Sequence, residues 1–285
     1  MTRHPLVLLA LAAASAAGAF AVWLAAFAVP GGRGLDGRAM QSFTGVAVTP
    51  MQPSIHGIAL LAEPLPFAII AGAAIACALL RRRWLMAAIV PLILLSANLT
   101  TQMLKPALAD PRNVDLRGVN VAYPGSWPSG HATAAMSLAL CLVLVAGPRV
   151  RPLAALAGAG YAVAVGYSLV ALGFHLPSDV LGGYLVAATF TLLGAAALAG
   201  LEARRPALAQ RGATATVPVA PWLLSPPALA AFAGALLAAV AIAVVVRAPS
   251  APADVLEHPI AVLAGLGIAG LGLALTTGLA HVLRR

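Results

Sequence analysis

The stretch WPSGHATAAMSLALCLVLV, Trp127 to Val145, places a serine, a glycine and a histidine at the mouth of a long apolar run. Extended to residues 129–147, this run is long enough to cross a bilayer as a helix. Pro128 suits the first turn of a helix, and Ser129 and Gly130 leave backbone amides accessible at its start. The stretch therefore predicts a membrane helix whose first turn presents N–H groups and an imidazole ring.

The rest of the chain has the same apolar character. Of its 285 residues, 61% are hydrophobic and only 9% are charged, which is typical of an integral membrane protein and not of a soluble domain. The first run has a signal-like start, but its apolar stretch is too long for a cleaved signal and predicts a retained helix. We expect an all-α integral membrane fold with eight spans, at 5–30, 58–80, 84–104, 129–147, 152–174, 178–200, 224–247 and 259–282.

These spans divide into a core and an addition. We expect a six-span core over residues 1–200, with the candidate reactive residues at 105–183. The segment 201–223 is rich in Pro, Ala and Arg without apolar periodicity, so it predicts a cytoplasmic linker. Residues 224–285 would add two transmembrane helices to this core.

The arginines indicate how the chain is oriented. With the N-terminus inside, eleven of the seventeen basic residues fall in cytoplasmic segments, and seven of the eight acids fall outside or near the outer ends of spans. Both termini are therefore predicted to be cytoplasmic. The formal charge of +9 does not indicate nucleic-acid binding, because the arginines form short clusters between spans.

The outer loop at 105–128 has the highest charge density of the external segments. Lys105 is the only lysine of the chain, and Arg112 follows it seven residues later. Each residue alone is also typical of a cation that anchors a helix end. Together, two cations over a membrane surface favour a clamp for an oxyanion such as phosphate.

Two histidines are candidates for chemistry at the same predicted face. His131 would lie in the first turn of its span, where it can donate a proton, although a Ser-Gly-His triplet alone is also typical of ordinary helix capping. His175 and Asp179 are four residues apart, so a helical turn would let the carboxylate hold one ring nitrogen and leave the other as a nucleophile. The alternative is an interfacial histidine bonded to Asp179 as a cap.

These elements together resemble the three-part signature of the type-2 phosphatidic acid phosphatase superfamily, which also includes vanadium haloperoxidases. The resemblance rests on Lys105 with Arg112, then Pro128-Ser129-Gly130-His131, then Ser168 with His175 and Asp179. It implies His175 as nucleophile, Asp179 as its orienting partner and His131 as the proton donor. It also implies that no metal or cofactor is needed and that the phosphate oxygens are held by Lys105, Arg112, Ser129 and Gly130.

The chain departs from this signature at two positions. Asn113 follows Arg112 where the family usually has proline, and Leu169 stands where the family has an arginine that contacts phosphate. Loss of one preorganised donor typically lowers a rate by about 10²- to 10³-fold. We hypothesise that Arg117 is an auxiliary cation that partly compensates. An Arg117→Ala variant with full turnover and affinity would contradict this hypothesis.

The resemblance implies a lipid phosphate phosphatase at the outer face of a bacterial inner membrane. An amphiphilic substrate fits an interfacial site, and isoprenoid diphosphate, phosphatidic acid and phosphatidylglycerol phosphate are all compatible. One alternative is a phosphotransferase or a lipid-linked sugar-phosphate phosphatase with the same site, which product analysis in heavy-oxygen water would separate. Another is a catalytically weakened lipid-phosphate-binding or transport protein, which would bind phosphate analogues without turnover.

Overall fold

A computed structural model describes most of the chain as membrane-type helices. The described residues are 5–46, 52–108, 111–116, 119–123, 125–204 and 259–283. The predicted span at 224–247 and all but the first residues of the predicted linker lie outside them. The helices are α1 Pro5–Trp23, α2 Gly32–Val46, α3 Gln52–Ala59, α4 Pro64–Leu80, α5 Trp84–Leu108, α6 Gly130–Val145, α7 Arg151–Ala171, α8 Pro177–Arg204 and α9 Pro259–Val282.

The helical membrane class predicted from the sequence is confirmed. Within the described residues, five helices are long and apolar enough to cross a membrane: α1 with its π-helical extension to Ala28, α5, α7, α8 and α9. A sixth span results if α4 is counted together with the preceding segment Gln52–Ala62, from which it is bent by 54°. The apolar α6 has 16 residues and falls short of a full span. The chain is therefore a multi-pass membrane protein, with fewer spans among the described residues than the eight expected.

The charged outer loop contains a short β-hairpin that the apolar pattern did not predict. Strand β1, Arg112–Leu116, pairs antiparallel with β2, Val119–Tyr123. The hairpin lies against α2, where the methyl groups of Val114 are 3.7 Å from the position of a β-carbon on Gly37. Both strands, RNVDL and VNVAY, largely alternate polar and apolar residues, but an alternation over only five residues is a weak signal in an otherwise helical chain.

Helix α6 is the most enclosed element of the described bundle. It packs against α7, α8 and α5, with further contacts from α4 and α9. All but one of the residues from Ala132 to Val145 are buried, which explains why this run is apolar on every side. Because α6 starts at Gly130, the enclosure holds the first turn with His131 in a defined position.

Arginine side chains cap the C-terminal end of α6. Arg81 and Arg83 donate from their guanidinium groups to the carbonyl of Val145, at 3.1 and 3.2 Å. The buried Arg151 donates to the carbonyls of Ala146 and Leu283. Cations at a helix C-terminus satisfy its last carbonyls and complement its dipole.

Helix α9 packs against the rest of the bundle. It contacts α7, α6, α8 and α2. The Tyr167 hydroxyl donates to the carbonyl of Gly265 at 2.7 Å, and Arg151 reaches the last turn at Leu283. The helix is thus tied to α7 near both of its ends.

Candidate active site

Ser129 begins α6 as its N-cap. Its hydroxyl oxygen accepts a hydrogen bond from the Ala132 amide at 3.2 Å, and its carbonyl accepts from the Thr133 amide and hydroxyl. Thr101 of α5 donates to the Thr133 hydroxyl at 3.1 Å. The first amides of a helix have no acceptor within that helix, so the N–H groups of Gly130 and His131 remain for an anion.

His175 lies on a tight turn between α7 and α8. Gly173 has φ +72°, the left-handed conformation that commonly ends a helix and that glycine adopts without a steric penalty. The carbonyl of Leu169 accepts from the amides of Phe174 and His175, at 2.9 and 3.2 Å. The side chain of Leu169 is buried in the core, while its backbone holds the turn that carries His175.

Asp179 connects His175 to the start of α8. Its Oδ2 lies 3.4 Å from Nδ1 of His175 and accepts from the Leu176 amide at 3.1 Å. His175 precedes Pro177, the first residue of α8, so the two residues meet through capping of this helix and not as neighbours on a helical face. With Nδ1 facing the carboxylate, Nε2 is the nitrogen left for a reaction.

A backbone hydrogen bond joins the two segments that carry the histidines. The Ser129 amide donates to the carbonyl of Asp179 at 3.0 Å. The rings of His131 and His175 lie with their centroids 6.4 Å apart, at an interplanar angle of 60°. Because reacting atoms approach within about 3 to 3.5 Å, a single tetrahedral phosphate can contact both rings.

Lys105 approaches the same helix start from the last turn of α5. Its Nζ lies 3.8 Å from the position of a β-carbon on Gly130, and Nε2 of Gln102 lies 3.3 Å from that position. The indole Nε1 of Trp23 donates to the carbonyl of Leu108 and ties the end of α5 to α1. The Gly130 amide, an ammonium group and a primary amide therefore converge on one point.

Sequence reasoning missed three polar residues of this region. Glu63 lies 3.3 Å from His131, measured from Oε1 to Nε2, and Gln102 lies beside Gly130. Asp36 of α2 accepts hydrogen bonds from the amide and the hydroxyl of Ser178, at the start of α8. A glutamate directly before a proline and an apolar run is the signal that marks Glu63 in the sequence.

Other predicted residues are less well placed by the structure. Arg112 begins β1, but its side chain is outside the described part, as is all of Arg117. Ser168 is buried and its hydroxyl donates to the carbonyl of Val165 in its own helix. In the described part of the chain, no three or more His, Cys, Asp or Glu side chains are grouped to hold a metal ion.

Fold and site together define a multi-pass helical membrane protein with two facing histidines, one of them held by a buried aspartate. Residues 86–201 match the family model of the PAP2 superfamily, which confirms the resemblance over that part of the chain. The structure is similar to a crystal structure described as the first transmembrane PAP2-type phosphatidylglycerolphosphate phosphatase from Bacillus subtilis. That likeness has a TM-score of 0.53 and 20% identity, and it covers 68% of this chain and 97% of the Bacillus chain. A comparison with curated proteins found no significant match.

Proposed function

We propose that this protein is a membrane phosphatase that hydrolyses a lipid phosphate through a phosphohistidine on His175. The PAP2-superfamily match and the transmembrane phosphatase fold support a hydrolase of this type. The observation that carries the proposal is the meeting of the His131 and His175 rings beside the start of α6. Capping alone does not require two imidazoles to face each other there.

The first step transfers the phosphoryl group to the enzyme. Nε2 of His175 attacks phosphorus while Asp179 holds Nδ1, so the ring is oriented and its positive charge is compensated as the P–N bond forms. His131 gives a proton to the leaving oxygen as the P–O bond breaks. Lys105 and the Gly130 amide stabilise the non-bridging oxygens, with Ser129, Arg112 and the auxiliary Arg117 as further proposed contacts.

The second step returns the enzyme to its starting state. His131 accepts a proton from water while the water oxygen attacks phosphorus and the P–N bond breaks. Inorganic phosphate leaves, and one water has been consumed. This chemistry requires cations and N–H donors around the phosphate, and Lys105 and the Gly130 amide are groups of this kind.

The substrate proposed for this site is an amphiphile with a phosphate or diphosphate headgroup. Phe174, next to His175, is 49% exposed, so an apolar side chain lies at the mouth of the site. Leu99 and Met103 of α5 are also exposed, on the helix that carries Lys105. A lipid can keep its chains against such surfaces while its headgroup reaches the histidines. Isoprenoid diphosphate, phosphatidic acid and phosphatidylglycerol phosphate belong to this class.

Removal of the proposed nucleophile tests the function. His175→Ala should lower phosphate release from phosphatidic acid and an isoprenoid diphosphate by at least about 10³-fold, because no group replaces Nε2 in forming the P–N bond. Phosphate release by purified protein in detergent, in excess chelator, is the measurement. We expect wild-type protein to remain active there.

The matched control is His281→Ala, since His281 is an exposed histidine in the last turn of α9, away from His175. It should keep full activity. Near-normal turnover by the His175→Ala protein, with an unchanged melting temperature, would rule out the phosphohistidine route.

A further inference from the structure

Glu63 is the carboxylate next to the second histidine. Its Oε1 lies 3.3 Å from Nε2 of His131, and the two side chains are 47% and 40% exposed. The pair differs from that of His175 and Asp179, in which the carboxylate is buried and faces Nδ1. Each of the two facing rings therefore has a carboxylate of its own.

The fold holds Glu63 at a bend. The chain turns by 54° between the segments Gln52–Ala62 and Pro64–Leu80, and Glu63 stands between them in extended conformation with φ −67° and ψ 158°. Its amide donates to the carbonyl of Leu60, and the Tyr161 hydroxyl of α7 donates to that of Leu61 at 3.0 Å. The turn also packs against α6, so the carboxylate is presented to His131 by a braced backbone.

We propose that Glu63 is a positioning residue for His131, an inference that rests on the function proposed above. The Glu63 carboxylate holds the ring through Nε2 and leaves Nδ1 to exchange the proton of the reaction. One nitrogen held by a carboxylate and the other free is the arrangement that a histidine needs to act as an oriented acid and base.

The proton balance leaves Glu63 unchanged over the cycle. In the first step the His131 proton passes to the leaving oxygen as the P–O bond breaks and the bond from phosphorus to His175 forms. In the second step His131 takes a proton from the attacking water as the P–N bond breaks. The carboxylate neither gains nor loses a proton, so it acts on the ring of His131 and not as a carrier of the transferred proton.

This role predicts a dependence on the leaving group. An alkoxide needs a proton to leave, whereas a nitrophenolate leaves readily without one. Both kinds of substrate offer the same phosphate to Lys105 and the start of α6, so an effect on phosphate binding would be common to both. An effect on proton transfer would appear only with the alkyl phosphate.

The test compares Glu63→Gln with wild type on dodecyl phosphate and on 4-nitrophenyl phosphate, through kcat/KM, which covers the steps up to release of the leaving group. Because Glu63 and His131 are about half exposed, their interaction energy is small. We therefore expect kcat/KM to fall about fivefold for dodecyl phosphate and less than twofold for 4-nitrophenyl phosphate. Glu202→Gln is the matched control, because it removes the same charge near the far end of α8. It should change neither value.

The outcomes separate this inference from the function on which it rests. An equal loss on both substrates, no loss on either, or the same loss in Glu202→Gln would overturn the role of Glu63 while leaving phosphatase activity in place. If wild type releases no phosphate from any lipid phosphate, or His175→Ala keeps its turnover, the proposed function itself fails. Glu63→Gln changes no side-chain volume appreciably, and its melting temperature reports whether the bend is intact.

Discussion

At the scale of single residues, Gly183 decides how closely α8 approaches the start of α6. A β-carbon at this position would lie 2.8 Å from the Ser129 carbonyl oxygen and 3.0 Å from the Thr133 hydroxyl. Contacts this short cannot be accommodated without a shift of one of the two helices. The absence of a side chain at Gly183 thus permits the approach that brings Ser129 within hydrogen-bonding distance of Asp179 and places the two histidine rings edge to face.

Gly183→Ala should destabilise the protein and impair its activity. Overpacking of a tight contact costs about 1 to 3 kcal/mol, and here the displaced backbone carries Ser129 and the neighbouring His131. Thermal unfolding in detergent and phosphate release are the measurements.

Gly200→Ala, in the same helix, is the control, because nothing lies within 4 Å of the added carbon. Alanine in a helix interior is favoured over glycine by up to about 1 kcal/mol, so this variant should be neutral or slightly stabilised. A Gly183→Ala protein as stable and active as Gly200→Ala would show that the close approach does not matter.

At the scale of elements, α2 acts on the site through the start of α8. The Asp36 carboxylate accepts from the Ser178 amide and hydroxyl, so a residue of one helix caps another. A negative group at a helix N-terminus also complements the dipole of that helix. Since Asp179 is the next residue, α2 helps to hold the carboxylate that orients His175.

Asp36→Ala should lower stability by about 0.5 to 2 kcal/mol, the usual cost of a lost helix cap, and should reduce phosphate release. The expected loss of activity is smaller than that of His175→Ala, because the catalytic groups remain. Melting temperature and turnover are measured together.

Ser42→Ala is the control from the same helix. The Ser42 hydroxyl donates to the Arg38 carbonyl of α2 itself and does not bridge to α8. If Asp36→Ala and Ser42→Ala had the same melting temperature and turnover, the cap on α8 would not contribute to the site.

At the scale of the whole molecule, the bundle has two chemically different ends. Glu63, His131 and His175 gather where α4, α6 and α8 begin, and Arg81, Arg83 and Arg151 gather where α6 ends. Basic residues flanking spans favour the cytoplasmic side of a membrane. We therefore propose that the histidine end faces outwards in a bacterial inner membrane, with both termini inside.

Accessibility of introduced cysteines tests this orientation. In a background without Cys77 and Cys141, Ser54→Cys lies in α3, which leads into the bend at Glu63, and Arg149→Cys lies in the connection between α6 and α7. A membrane-impermeant maleimide should label position 54 but not position 149 in intact cells, because only the outer end is accessible.

Permeabilised cells provide the control, since both positions are exposed and both should then react. Labelling of position 149 alone in intact cells would show that the orientation is opposite to the one proposed.

The sequence by itself determined the helical membrane class, the positions of the described long helices to within a few residues, and the candidates His131, His175 and Asp179. Long apolar runs and short motifs are local properties, so they can be read without knowledge of packing. The number of spans was harder to predict, because an apolar run such as α6 or the bent segment before α4 has the composition of a span without its length or straightness.

Only the tertiary structure decided which polar groups meet. Glu63, Gln102 and Asp36 reach the site from segments distant in sequence, and no local pattern specifies such contacts. The same is true of the 6.4 Å between the two rings, which depends on α6 and α8 packing closely at Gly183. Packing of whole helices fixes distances between residues that the chain separates, and this is why the pairing of His131 with Glu63 emerged only from the fold.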